Sequence, residues 1–539
     1  MAQTISRRNF LKGSVVAGAT LGLSFYDSKK VGVSNQFDTI ISNGMIYTGD
    51  GSQPVRGSVG IKEGKIAAIG NIGDSADQII DAKGMAVSPG FIDIHSHTDG
   101  NIRYAQLGDS KIYQGITTDV SGNCGESVFP QSEWKSISDY NEEIEKMKIG
   151  INIRSYIGQG TLRHIVVGDN DVPATKDDMK KMKYLLEEEL EKGAIGVTCG
   201  LEYTPGSYAT NDEIVELLKV AAKHDKTFAI HMRNEDNMVE EALAETIDMA
   251  RKAKVRLQVS HLKAQNAANW YKAPKLIKQI EDARNSGMDI AFDRYSYNAF
   301  STGMSIFIPL KYRQGTTEEI IARLKDDVQE KEIAKYVNNK LEQLGGAKNV
   351  MVTSAKTPEN RKFIGYNVEE CAGMTNLSNW EFMKKILIEE RLIVDIVGFS
   401  MNEDNLKMLL SHPLGMPITD CSVYSPIGKL AENMPHPRAY GSFTRFVGKY
   451  CREEKLMDLS AAIRKCTSLP ASRIGLKNRG LIQVGYMADV LVFNPDTIID
   501  KATYAEPHQY STGIEHIIVN GVWTIANGMP TGEFGGRAS

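Results

Sequence analysis

From Phe37 to Val87, apolar and polar positions alternate in short runs broken by turns: Asp38-Thr39-Ile40-Ile41, Asn43-Gly44-Met45-Ile46-Tyr47, then Val59 to Gly70. A period of two interrupted by glycine predicts antiparallel strands. The same texture returns in Gly485 to Phe493 and Ile517 to Trp523. The two β-rich ends predict one small discontinuous β-sandwich domain, residues 34–88 with 478–539. In the middle the pattern changes, and apolar β-branched runs alternate with charged stretches of helical period. That is the mark of repeated βα units on a parallel sheet. Strand candidates end at Ile92-Asp93-Ile94-His95, Thr117 to Val120, Asn152 to Ile157, Ile195 to Cys199, Phe228 to His231, Leu257 to His261, Ile290 to Tyr295 and Met416 to Asp420. Eight such ends predict an α/β fold, a (β/α)8 TIM-like barrel over 89–477, with its site at the carboxyl ends of the strands. The stretch 311–410 is too long for a connecting loop, so it predicts a helical insertion or lid.

Composition narrows the function more than the fold. With 539 residues, 42% of them hydrophobic, the chain can bury one large core and a second, smaller one. A net charge of −4 with dispersed basic residues excludes nucleic acid and anionic lipid surfaces as partners. The N-terminus stands apart: Ser6-Arg7-Arg8-Asn9-Phe10-Leu11-Lys12 precedes an uncharged run from Val15 to Phe25. This predicts a twin-arginine signal over 1–33, a folded passage through the twin-arginine export machinery and a periplasmic or extracytoplasmic location. The run is far short of the ~20 residues of a spanning helix. Export after folding suits an enzyme that loads a metal in the cytoplasm. Six cysteines, Cys124, Cys199, Cys371, Cys421, Cys451 and Cys466, show no Cys-x-x-Cys spacing and no small disulfide framework. Most are expected to be buried free thiols. Nothing in the pattern sets an oligomeric state.

Candidate chemistry begins at Pro89-Gly90-Phe91-Ile92-Asp93-Ile94-His95-Ser96-His97. Two imidazoles two residues apart on a strand project from one face, where both can hold one cation. Preceded by Gly-Phe-Ile-Asp after a buried run, the pair resembles the signature of the amidohydrolase superfamily. His231 and His261 fall at two further predicted strand ends. The remaining histidines, His164, His224, His412, His436, His508 and His516, lack that placement and read as structural or surface groups. No lysine sits where related binuclear sites carry a carboxylated one. Cys124, in the glycine-flanked turn Ser121-Gly122-Asn123-Cys124-Gly125, offers a soft thiolate ligand for zinc instead.

Gly122-Asn123-Cys124-Gly125, Gly200-Leu201-Glu202-Tyr203-Thr204-Pro205-Gly206-Ser207-Tyr208-Ala209, His231-Met232-Arg233-Asn234-Glu235, Ser260-His261-Leu262-Lys263 and Pro435-His436-Pro437-Arg438-Ala439-Tyr440-Gly441-Ser442-Phe443 together resemble the D-aminoacylase (N-acyl-D-amino-acid deacylase) family. The resemblance spans roughly Phe37 to Gly528. It implies hydrolysis of N-acyl-D-amino acids, a tight zinc on Cys124, His231 and His261, and a weaker second metal site at His95 and His97. Asp420, at the last predicted strand end, falls where the superfamily keeps its general base, taking a proton from water and returning it to the departing amine. Binding of the small-molecule substrate's carboxylate is implied for Lys263, Tyr295 and Arg438, with Tyr203 and Ser301 nearby. Two positions depart from the family's pattern, Cys421 in place of glycine and Glu126 in place of an apolar residue, and both bear on side-chain preference.

Two other enzyme readings compete: a cyclic-amide hydrolase of the hydantoinase or dihydroorotase kind, which shares the His-x-His strand and terminal aspartate, and a hydrolase of D-residue-containing peptides. Cys124 in place of a bridging lysine argues against the first. A non-catalytic periplasmic binding protein would have little reason to hold His95, His97, Cys124, His231, His261 and Asp420 together.

Overall fold

The computed structural model describes residues 37–538, so the predicted signal segment 1–33 lies outside the described residues. Both chain ends enter one nine-stranded sheet. Phe37–Ile46, Val55–Lys62, Lys65–Gly70, Ala76–Asp81 and Ala86–Pro89 come from the first part, and Val490–Phe493, Ile514–Val519, Val522–Ala526 and Met529–Pro530 from the last. Ala86–Pro89 pairs antiparallel with Val490–Phe493 and joins the two halves. The local chemistry accounts for the pairing. Val55–Lys62 and Lys65–Gly70 are linked by Glu63 and Gly64 at φ 49° and 73°, the two left-handed positions a tight hairpin requires. Ile41, Ile46, Val59, Val87, Val490 and Ile518 meet in the core of this unit.

The middle of the chain supplies parallel strands β1 (Phe91–Asp93), β2 (Ile116–Ser121), β3 (Asn152–Ser155, resumed as Ile157–Gly158), β4 (Gly196–Gly200), β5 (Thr227–His231), β6 (Arg256–Val259), β7 (Ile290–Arg294) and β8 (Gly415–Pro417). β1, β2 and β3 pair in order. Ile157–Gly158 pairs with β4, and the ladder continues through β5, β6 and β7 to β8. Beyond β8 the chain returns to β1, where Asp420 N–H donates to His95 O at 2.9 Å and His97 N–H to Cys421 O at 3.3 Å. β4, β5 and β7 are buried along their whole length, as strands covered on both faces must be. The covering helices follow the same logic. In Asn211–Lys223 the buried Ile214, Leu217, Leu218 and Ala221 form one stripe, and the Thr210 hydroxyl caps the helix by accepting from Glu213 N–H at 3.2 Å.

The meeting point of first and last strands is held by a buried cation. Lys111, with no exposed surface, lies 3.0 Å from Asp93 and 3.5 Å from Asp119 and donates to Cys421 O at 2.8 Å, to Ser96 Oγ at 3.1 Å and to Thr419 Oγ1. Burial alone would lower its pKa, but the Asp119 and Asp93 charges raise it, so the ammonium is retained.

The expected helical insertion differs in two respects. It contains a sheet, because Ala299–Gly303 pairs antiparallel with Asp395–Phe399, which also pairs with Val350–Val352. These strands are three to five residues long and find partners far away in sequence, so no hairpin signal announces them. The unit therefore begins before Lys311, and Leu324, Ile333, Val337, Val352, Phe382 and Ile386 lie together in its core. Helix Glu403–Ser411, inside the stretch read as insertion, instead packs against β7 and β8.

Replacing Lys111 by methionine keeps most of its volume but leaves Asp93 and Asp119 without a cation. The expected loss is about 3–5 kcal/mol, read as a lower urea midpoint at neutral pH. An unchanged midpoint would show that this cluster does not hold the strand ends together.

Candidate metal centre

The six residues singled out as ligands and base all arrive at one place, the carboxyl ends of the parallel strands. His95 and His97 follow β1, Cys124 follows β2, His231 ends β5, His261 comes two residues after β6, and Asp420 comes three after β8. The backbone is bent to bring them there. Cys124, His261 and Asp420 have φ of 53°, 35° and 49°, a region side-chain-bearing residues seldom occupy. Gly122 and Gly125 flank the cysteine at φ 78° and 82°. A Cβ at Gly125 would fall 2.6 Å from Gly200 N, and one at Gly200 only 1.9 Å from Cys124 O, so the thiol turn presses on the end of β4 as only glycine permits.

The donor atoms are spaced as metal ligands. Cys124 Sγ lies 3.6 Å from His261 Nε2 and 3.9 Å from His231 Nδ1, and the two ring nitrogens are 3.0 Å apart. Tetrahedral zinc with ordinary Zn–S and Zn–N bonds requires separations of about 3.6 Å and about 3.3 Å. A second group shares the same sulfur: His95 Nε2 is 3.3 Å from Sγ, and the His95 and His97 Nε2 atoms each lie 3.3 Å from Asp420 Oδ1. The residues present therefore fit a metal ion at either of two adjoining donor groups, both of which include Cys124. Burial raises the Cys124 thiol, yet the facing His95 charge and the hydrogen bonds of His231, His261 and His95 carry its pKa well below the ordinary value. His231 is pushed the other way. Burial alone lowers it, but Glu235, Cys124 and Glu202 raise it to about 10. Thiolate and imidazolium thus hold the place that a cation would take.

An outer ring of carboxylates, invisible to spacing arguments, orients the imidazoles. Glu202 Oε2 lies 3.1 Å from His231 Nε2, and Glu235 lies 3.0 Å from His261 Nδ1. Each leaves the opposite nitrogen directed at the shared centre. Asp293, at the end of β7, accepts from His261 N–H at 2.6 Å and from Gln258 Nε2 at 2.7 Å, and it faces His95 Nδ1 at 3.4 Å. Glu202 and Glu235 stand in motifs already noted for other residues, and only the fold shows what they touch.

The residues expected to bind substrate line the same cavity of about 560 Å³, but two of them are engaged. Lys263 Nζ donates to Glu235 at 2.6 Å. Arg438 donates to Asp420 Oδ2 at 2.7 Å while its Nε has no hydrogen-bond partner. Burial raises Asp420, but Arg438, His261 and His95 outweigh it and keep the carboxylate ionised. Tyr295 is wholly buried, its hydroxyl unpartnered, between the guanidinium groups of Arg294 and Arg438 at 3.9 Å and 4.5 Å from the ring. Tyr203 touches Thr302 Oγ1 at 3.3 Å and its ring lies 4.7 Å from that of His231. Ser301 lines the wall supplied by the insertion. The six histidines set aside as structural stay out of the donor group. His436 donates to Ala299 O at 3.0 Å and accepts from Arg438 N–H at 3.0 Å, fixing the start of helix Arg438–Arg445. All six cysteines are free and buried.

Residues 78–525 match the Amidohydrolase family. The N-acyl-D-glutamate deacylase of Alcaligenes xylosoxydans xylosoxydans is 31% identical, over 93% of this chain and 96% of that protein. The D-aminoacylase of the same organism is 29% identical, over 94% and 98%. Among solved structures, the N-acyl-D-glutamate deacylase from Bordetella bronchiseptica, crystallised with zinc and a phosphonate mimic of the tetrahedral intermediate, superposes with a TM-score of 0.80 at 30% identity, covering 94% of this chain and 99% of that one. Residues 4–24 match a twin-arginine translocation signal, so the chain is exported by that route. Among the described residues, no helix is long and apolar enough to cross a membrane.

Glu202→Gln removes the carboxylate that orients His231 without touching a donor atom of the shared centre. Competition with a zinc chelator is expected to show affinity weakened by about 10- to 100-fold. Unchanged affinity would mean that Glu202 does not orient His231.

Proposed function

The chain belongs to the amidohydrolase family, and from that premise we propose that it hydrolyses the amide bond of N-acyl-D-amino acids, releasing a carboxylate and the free D-amino acid. The observation that carries this reading is the convergence of Cys124, His231 and His261 at zinc-like spacing, opposite Asp420, in a cavity also lined by Arg438 and Tyr295. The architecture is part of the proposal: a closed (β/α)8 barrel over 89–477 and a sandwich made from 34–88 and 478–539. The hydrogen bonds between the β8 end and His95 and His97 support closure.

Cys124, His231 and His261 would hold a tight zinc, and His95 and His97 a weaker second one. Zinc, when bound, polarises the substrate carbonyl and acidifies water beside it. Asp420 does the proton work. Its Oδ1 takes a proton from water as the water oxygen bonds to the amide carbon. The same carboxyl then delivers that proton to the nitrogen as the carbon–nitrogen bond breaks. Arg438 suits two tasks, because one nitrogen donates to Asp420 and the buried Nε–H, without a partner of its own, is left to donate to the substrate carboxylate. The unpartnered Tyr295 hydroxyl is a second donor for that carboxylate, with Lys263, Ser301 and Tyr203 around it. Stereochemistry follows from relatives whose names carry D-amino-acid substrates.

Amine release from paired N-acetyl-D- and N-acetyl-L-amino acids by zinc-loaded protein lacking residues 1–33 tests the reading. Release from the D series alone is expected. Release from the L series, or from neither, would overturn it. Asp420→Asn should keep its tight zinc while kcat falls at least about 100-fold, and retained turnover would remove Asp420 from the proton transfer.

A further inference from the structure

The charges around the cavity nearly all come in opposite pairs. Lys263 is held by Glu235, Arg438 by Asp420 and Lys340 by Asp236 at 2.5 Å. Arg313 donates to the Glu202 backbone carbonyl at 2.8 Å and lies within reach of the Glu202 carboxylate. Two lining carboxylates remain, Glu126 and Asp395. Glu126 faces His97, beside the metal ligands, where bound cations set the field. Asp395 pairs with no cation among the described residues, although His97 and Asp420 line the recess beside it.

Asp395 is placed by sheet register and not by chance. In the antiparallel pair formed by Ala299–Gly303 and Asp395–Phe399 it stands opposite Gly303, on the face that also carries Ser301. Two residues of strand span about 7 Å, comparable with an extended lysine or arginine side chain. Its rotamer is fixed by Ser354, whose hydroxyl accepts from Asp395 N–H at 2.8 Å and donates to Asp395 Oδ2 at 2.9 Å. Oδ1 carries no hydrogen bond from any described residue. The carboxylate opens into the cavity and into a side recess of about 200 Å³ lined by Ser422, Tyr424 and Asn433, where the buried Ser422 Oγ also lacks a partner. Asp395 is exposed to the solvent of the cavity, so its carboxylate faces open space with only the Ser354 hydroxyl as a side-chain hydrogen-bond donor.

We infer that Asp395 is a specificity-determining residue that selects N-acyl-D-amino acids with a cationic side chain, an ammonium or guanidinium, and disfavours acidic ones. The inference rests on the deacylase reading and goes beyond it by naming the side-chain class. A cation of the right length supplies the missing counter-charge, whereas a second carboxylate would meet an unneutralised one of its own sign.

The test compares N-acetyl-D-lysine, N-acetyl-D-leucine and N-acetyl-D-glutamate as substrates of the zinc-loaded wild type, Asp395→Asn and Asp395→Glu. The wild type should prefer the lysine derivative to the glutamate derivative. Asp395→Asn should lower kcat/KM for the lysine derivative roughly 10- to 100-fold, mainly through KM. It should leave the leucine derivative within about twofold. Asp395→Glu, which keeps the charge, should retain the preference for lysine. A parallel fall on lysine and leucine derivatives in Asp395→Asn, or an unchanged ratio between them, overturns the inference. Calorimetric binding of free D-lysine and D-leucine to wild type and Asp395→Asn decides the matter separately from catalysis. Absence of turnover on all three derivatives would remove the deacylase reading, while equal D-lysine binding by both proteins would remove the role of Asp395.

Discussion

The buried Lys111 ammonium is the interaction on which the rest of the site depends. It sits where the first and last parallel strands meet and binds Asp93 from one, Asp119 from its neighbour, and Thr419 and the Cys421 carbonyl from the other end of the chain. Those residues are sequence neighbours of the chemistry: Asp93 is two before His95, Asp119 is five before Cys124, and Thr419 adjoins Asp420. One cation therefore fixes the relative positions of the strand that leads into His95, the thiol turn and Asp420. An ion pair this deep costs more desolvation than it gains in Coulomb energy unless its geometry is fully satisfied. Here the Lys111 ammonium is satisfied by several acceptors while the buried Asp119 Oδ1 has no partner, and what the cluster secures is placement.

Strand ends alone do not make such a centre. Cys124, His261 and Asp420 are held in left-handed backbone conformations, and each costs energy that the surrounding fold must supply. The return is pre-organisation: three donors at zinc-like spacing before any cation arrives, with carboxylates already turning the imidazoles inward. Electrostatics runs in the same direction, because each imidazole, the thiolate and Asp420 face opposite charge. A divalent ion enters a site already shaped for it and displaces the protons held on the imidazoles.

The first layer of this site could be read directly from the chain. His95, His97, Cys124, His231, His261 and Asp420 are adjacent to recognisable strand ends, and that placement together with the family resemblance singled out the residues that the fold brings together. The two-ended sheet was equally legible from its period of two. What the pattern could not carry were relations between distant segments. Asp293 serves β1 and β6 from the end of β7, Lys111 joins three strands from a four-residue helix, and Asp395 reaches the cavity by pairing with a strand about 90 residues earlier. The engagement of Lys263 by Glu235 and of Arg438 by Asp420 was likewise hidden, since sequence supplies the groups and only packing supplies their partners. Short strands inside a helical stretch escaped for the same reason.

The claim that everything else serves is that a thiolate and imidazoles from three different strands hold one metal. X-ray absorption at the zinc K-edge of the protein loaded with a single equivalent of zinc tests it most directly. The account predicts one sulfur at about 2.3 Å together with nitrogen or oxygen donors at about 2.0–2.1 Å. A first shell made of nitrogen and oxygen alone would contradict it, placing the tight metal away from Cys124.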